Sequence, residues 1–115
     1  REGLSKNFKF KNFTNKPTLL KKKYDLIINA SNAGMSHGNK INRNILRLIK
    51  KTKGVIDIVY NPLETDLLKE AKKNNIKSIG GLIMLVEQAK PSFEIWSKKD
   101  IDIDDKIYRS LISKI

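Results

Sequence analysis

Apolar residues along the chain change their spacing several times, and each change marks an expected element. Leu26-Ile27-Ile28 is a short β-branched run that closes on Asn29-Ala30-Ser31-Asn32-Ala33-Gly34, the pattern of a buried parallel strand ending in a loop. Ile41, Ile45, Leu46, Leu48 and Ile49 then recur at helical spacing until Lys50, Lys51 and Lys53 crowd the last turn, and Gly54 is expected to close that helix. Val55 to Tyr60 predicts a second strand, stopped by Asn61-Pro62. Thr65 can cap the following helix, with Asp66 in its favourable first turn and Leu67, Leu68 and Ala71 on its buried face. Lys77-Ser78-Ile79 predicts a third strand that runs into Gly80-Gly81. Leu82, Leu85, Val86, Ala89, Phe93 and Trp96 fall on one face of a long amphipathic helix, while Met84 and Gln88 lie one turn apart on a neighbouring face. Pro91 deletes one backbone hydrogen bond and is expected to kink or interrupt that helix. A short helix from Asp104 to Ile115 closes the pattern. Upstream, Lys6 to Phe13 alternates Phe8 and Phe10 with Lys9 and Lys11, which permits a short strand with one apolar and one basic face.

Strands alternating with helices imply an α/β fold with a doubly wound parallel sheet, in which ligands bind at the carboxyl ends of the strands. Those ends are Asn29 to Gly34, Tyr60 to Pro62 and Gly80 to Met84. At 115 residues the chain is one modest domain at most, and its opening on Arg1 without an initiator Met reads as a piece of something longer.

Charge changes the picture less than its total suggests. The formal net charge of +12 lies entirely between Arg1 and Lys53, where 14 Lys plus Arg face 2 acids, because from Gly54 onward there are 10 of each sign. With 20 Lys, 11 Asn and 16 Ile, the chain carries a bias that raises surface charge without a selected partner, so basicity is weak support for nucleic-acid binding. The absence of Cys removes disulfides, thiolate metal sites and a Cys nucleophile, and a reducing cytoplasm is the expected home. The apolar run Leu82 to Val86 has five residues, far short of the ~20 that span a bilayer. His37 has no companion ligands and marks no metal site.

The three strand ends, taken in order, carry a resemblance. Asn29-Ala30-Ser31 with Gly34-Met35, then Asp57-Ile58-Val59-Tyr60-Asn61-Pro62 with Thr65, Leu67, Leu68 and Ala71, then Gly81 with Met84-Leu85-Val86, Gln88-Ala89, Phe93-Glu94 and Trp96, closely resemble shikimate dehydrogenases. The resemblance spans roughly Tyr24 to Trp96. It implies the C-terminal part of a Rossmann-like, NADP-binding domain in an enzyme that reduces 3-dehydroshikimate to shikimate in aromatic amino-acid biosynthesis. It further implies that Asn29 and Ser31 lie along NADP, that Ile58 and Gly81 touch it, and that Met84 packs near the nicotinamide. Tyr60 and Gln88 are implied to contact the substrate. These roles suit the residue types: a polyhydroxylated ring needs neutral donors and acceptors, glycine lets a backbone approach a flat cofactor, and Ile58 with Met84 keeps water from the hydride.

Without the linked motifs each residue has a plainer role. Tyr60 would be a strand-end aromatic with a solvated hydroxyl, Gln88 a half-exposed helix residue, Met84 core filler and Ser31 a cap for a loop amide. The chain departs from the family at Ile83, where a second glycine is common, and at Asn32 and Pro91. The family's catalytic lysine and aspartate, its substrate domain and its Gly-rich phosphate loop are expected outside these residues, so the isolated chain is expected to be inactive and to expose an apolar strand edge. Three alternatives remain at this point: a quinate or dual quinate/shikimate dehydrogenase using NAD or NADP, an RNA-binding module over residues 1 to 53 with Phe8, Phe10 and Phe13 stacking among lysines, and, left open by Ile83, a regulatory or degenerate paralogue that keeps the fold without turnover.

Overall fold

The computed structural model describes residues 21–114. The Lys6 to Phe13 alternation and the three phenylalanines of the RNA-binding alternative lie outside the described residues. Within them the order is β1 (Leu26–Asn29), α1 (Arg43–Ile49), β2 (Gly54–Asp57), α2 (Asp66–Lys73), β3 (Lys77–Gly80), α3 (Gly81–Ser97) and α4 (Asp105–Ile112). The strands form one parallel sheet in the order β1-β2-β3. The expected α/β alternation is thus the observed one.

Pairing is in register along the whole sheet: Ile27 lies beside Val55, Ile56 lies between Ile28 and Ile79, and the last rung aligns Asn29, Asp57 and Gly80. Because side chains alternate along a strand, Ile27 and Val55 share a face with Asn29 and Asp57. That face carries the core, in which Ile27, Ile41, Leu48, Ile49, Val55, Leu67 and Ala71 pack together. Helices α1 and α2 supply its outer layer. On the opposite face Leu26, Ile28 and Ile79 remain 47%, 57% and 48% exposed.

Local chemistry explains the helix limits. Asn42 caps α1 by accepting from the Asn44 amide at 2.8 Å. Ile41, one residue before the cap, is buried and shares the core with Leu46 in the first turn, the arrangement of a hydrophobic staple. Thr65 caps α2 by accepting from the Leu68 amide at 3.3 Å, Asp66 follows in the first turn, and Lys72 and Lys73 close the last turn. Asp104 caps α4 through the Lys106 and Ile107 amides, each at 3.0 Å.

Three expectations are corrected. Gly54 does not close α1 but opens β2, since the helix ends at Ile49 and the Gly54 amide donates to the Asp25 carbonyl at 3.1 Å. The second strand stops at Asp57 rather than Tyr60, because the Asp57 carboxylate takes the Val59 amide out of the ladder at 3.1 Å. Pro91, expected to kink or interrupt α3, does not interrupt it, since the helix runs for 17 residues; the carbonyl Pro91 leaves without a donor is that of Glu87, an exposed residue, and can be hydrated. The apolar face of α3 also outruns its contacts. Leu82 and Val86 are buried at its start, whereas Phe93 and Trp96 are 50% and 82% exposed. No helix among the described residues is long and apolar enough to cross a membrane.

The exposed Leu26, Ile28 and Ile79 surface predicts that the isolated 115-residue chain self-associates. Sedimentation velocity over a range of concentrations should show association that weakens in Ile28→Lys; a monomer at every concentration would contradict this.

Candidate functional site

The carboxyl ends of the three strands are tied together by a small set of hydrogen bonds. Asn29 Oδ1 accepts from the Ser31 hydroxyl at 2.7 Å and from the Ser31 amide at 3.2 Å. Asn29 Nδ2 donates to the Ala33 carbonyl at 2.8 Å and to Asp57 Oδ1 at 2.9 Å. Ser31 Oγ in turn accepts from the Ala33 amide at 3.2 Å. The polar run after β1 therefore folds back on the last residue of its own strand, which explains why a short side chain with both donor and acceptor ends the apolar run.

The loop continues through Gly34, whose φ of 93° lies in the left-handed region that favours glycine. Its amide donates to the Asn39 carbonyl at 2.7 Å. The loop then meets the end of β2, where Ser36 Oγ donates to Asn61 Oδ1 at 2.9 Å and the Ser36 amide donates to the Asn61 carbonyl at 3.2 Å. The peptide bond between Asn61 and Pro62 is cis.

The β2 end is fixed from both sides. The Ile58 amide donates to the Asn29 carbonyl at 3.1 Å, and the Gly81 amide donates to the Val59 carbonyl at 3.2 Å. Gly81 opens α3, so one of the amides that a helix start leaves without an internal partner is satisfied by β2. A Cβ on Gly81 would collide with the Ile58 carbonyl and lie 2.7 Å from the Val59 carbonyl carbon. The glycine is therefore required by the packing of α3 on the β2 end, a reason separate from any approach of a cofactor.

Among the residues singled out from the sequence, Asn29, Ser31, Ile58 and Gly81 are thus stitched together at one edge of the sheet. Tyr60 and Met84 stand 43% and 42% exposed near them in sequence, and Gln88 is exposed one helical turn beyond Met84. Ile58 is half-buried. These residues offer apolar surface, a phenol and an amide. Ile83, the departure from the family pattern, lines a groove with Leu63, Leu68 and Ile76, on the side of α2.

Asp57, legible only as a motif letter, and Thr65, legible as a helix cap, prove central to this edge. Asp57 is 0% exposed and Thr65 1%. Asp57 Oδ1 accepts from Asn29 Nδ2 and from the Val59 amide at 3.1 Å, while Oδ2 accepts from Thr65 Oγ1 at 2.5 Å. The available signal was the acid in the middle of Val55-Ile56-Asp57-Ile58-Val59, since an acid inside an apolar strand is seldom tolerated without donors. Among the described residues no buried side-chain nitrogen or oxygen lacks a partner.

A three-stranded parallel sheet with helices packed on it, and with its polar loops gathered at the strands' carboxyl ends, defines a Rossmann-like α/β unit. No protein-family profile matches the chain. Individual proteins do. It is 47% identical over 95 residues, 80% of its length, to the NADP-dependent shikimate dehydrogenase of Methanococcus maripaludis, and spans 33% of that relative. It is 49% identical over 67 residues to the corresponding enzyme of Clostridium perfringens, covering 56% of this chain and 25% of that one. In structure it resembles a chorismate mutase/shikimate 5-dehydrogenase fusion protein from Clostridium acetobutylicum, with a TM-score of 0.70 and 37% identity over 85% of this chain and 38% of the other. A shikimate dehydrogenase solved in complex with NADP+ matches with a TM-score of 0.66 and 41% identity, over 79% of this chain and 32% of that one. The chain is homologous to a part of the shikimate dehydrogenases and spans about a quarter to a third of the length of the curated relatives it matches.

Replacing Gly81 by Ala tests the junction. The collision with the Ile58 carbonyl should cost about 1–3 kcal/mol of stability, read as a lower urea midpoint with unchanged slope; an unchanged midpoint would show that the junction has room.

Proposed function

We propose that this chain forms the nicotinamide-side and substrate-side wall of an NADP-dependent shikimate dehydrogenase, the C-terminal part of an enzyme that reduces 3-dehydroshikimate to shikimate. The observation that carries the proposal is the junction of the three strand ends, which gathers Asn29, Ser31, Ile58 and Gly81 at the place where a parallel sheet binds ligands, in a chain 47% identical to such an enzyme.

In this reading the bound NADPH supplies the hydride, and the chain's own residues bind and orient. Ile58 and Met84 form an apolar wall that keeps water from the transfer. Tyr60 offers a hydroxyl and Gln88 an amide to the ring hydroxyls of the substrate, as neutral donors and acceptors that add no charge to be desolvated. Asn29 spends its side chain on Asp57, Ala33 and Ser31, so its part is to shape the segment along the cofactor rather than to reach it with its own amide. Ser31 is held the same way, its hydroxyl proton committed to Asn29. The ketone becomes an alkoxide as the hydride arrives and needs a proton donor, a role assigned to residues beyond these 115.

In the complete enzyme, Tyr60→Phe and Gln88→Ala should each lower kcat/KM for 3-dehydroshikimate by about tenfold, the worth of one substrate hydrogen bond, while KM for NADPH changes little. Steady-state assays with each substrate varied in turn check this, and the 115 residues alone should give no turnover. Parental kinetics in both variants would reject the roles assigned to them.

A further inference from the structure

Asp57 is the one fully buried acid among the described residues, and the roles proposed above leave it unused. Its three donors come from three segments: Asn29 at the end of β1, Val59 just beyond β2, and Thr65 at the cap of α2. Each bond lies within two residues of a group assigned to the ligands. Asn29 holds Ser31, and Val59 separates Ile58 from Tyr60. The Val59 carbonyl also receives the first amide of α3, four residues before Leu85 and three before Met84. The carboxylate therefore ties the β1 segment to the β2 end through side chains, beside the backbone bond from the Ile58 amide to the Asn29 carbonyl.

We infer that Asp57 is a positioning residue for the reduction: without touching substrate or cofactor, it holds the Asn29–Ser31 segment against the Ile58–Tyr60 segment. The inference deepens the proposed function and rests on it. The chemistry calls for an acid here because every bond Asp57 makes is accepted, two at Oδ1 and one at Oδ2. An amide of the same size cannot reproduce that set. With its oxygen toward Asn29 and Val59, its NH2 faces the Thr65 hydroxyl, whose proton must turn away; in the other orientation, its NH2 faces two donors.

The test is Asp57→Asn in the complete enzyme, with kcat and KM measured for NADPH and 3-dehydroshikimate alongside circular dichroism and a thermal melt. KM for NADPH should rise and kcat should fall, lowering kcat/KM between roughly tenfold and a hundredfold, the scale of a misplacement of about an ångström. A merely structural role would reduce the folded fraction and leave KM unchanged; that outcome, or parental kinetics, overturns the inference. Should Asp57→Asn fail to fold, Thr65→Val removes one donor to the carboxylate and Thr65→Ser keeps it. Val should then raise KM for NADPH and Ser restore it, whereas parental KM in the Val variant overturns the inference. A parental enzyme that does not reduce 3-dehydroshikimate rejects the proposed function and this inference together; an active parent with unaltered variants rejects the inference alone.

Discussion

The arrangement of the strand ends depends on one carboxylate removed from water. Taking an acid into a protein interior costs several kcal/mol unless donors surround it. Asp57 meets that requirement by drawing in donors from β1, from the chain just past β2 and from the cap of α2. The cost of burial thus becomes a constraint on geometry: the acid is tolerated only where the three segments meet. Removing any one donor leaves the others bonded to an acid short of a partner, which makes the junction cooperative rather than a sum of separate contacts.

The rest of the edge follows from that junction. Because Val59 turns its amide to Asp57, β2 leaves the ladder and its next residues, Tyr60 to Pro62, project past the sheet. Because the Val59 carbonyl is then available, it receives the amide of Gly81 and sets where α3 begins. The close approach of the two backbones forbids a side chain at Gly81. A buried acid, a truncated strand and an obligatory glycine are three consequences of one packing solution.

Much of the fold was legible in the sequence, and the reasons are local. The β-branched runs at Leu26 and Val55, the cap at Thr65 and the Gly80-Gly81 stop each act within a few residues, so strands, helices and their parallel order could be read directly. The errors fall where a distant partner decides. Gly54 reads as a helix stop but is taken by β2, whose partners lie on β1 and β3. The helical spacing through Phe93 and Trp96 is genuine, yet among the described residues the chain has nothing that buries them, and they are largely exposed. The residues stitched at the candidate site were legible as linked motifs, whereas the inward turn of Asn29 and Ser31 was not, because periodicity says nothing about which hydrogen-bond partner a side chain finds.

That a buried acid binds the end of β1, the chain just past β2 and the cap of α2 is tested most directly by native-state hydrogen exchange at two amides. Val59 lies two residues past the end of β2, and Leu68 lies in the first turn of α2, so neither has a partner from regular secondary structure; their amides are held by Asp57 Oδ1 and by Thr65 Oγ1. In the complete protein both should be protected to the same order as Ile56 in the middle of the sheet. Exchange of both amides at the rate of an exposed loop, with Ile56 still protected, would contradict the account.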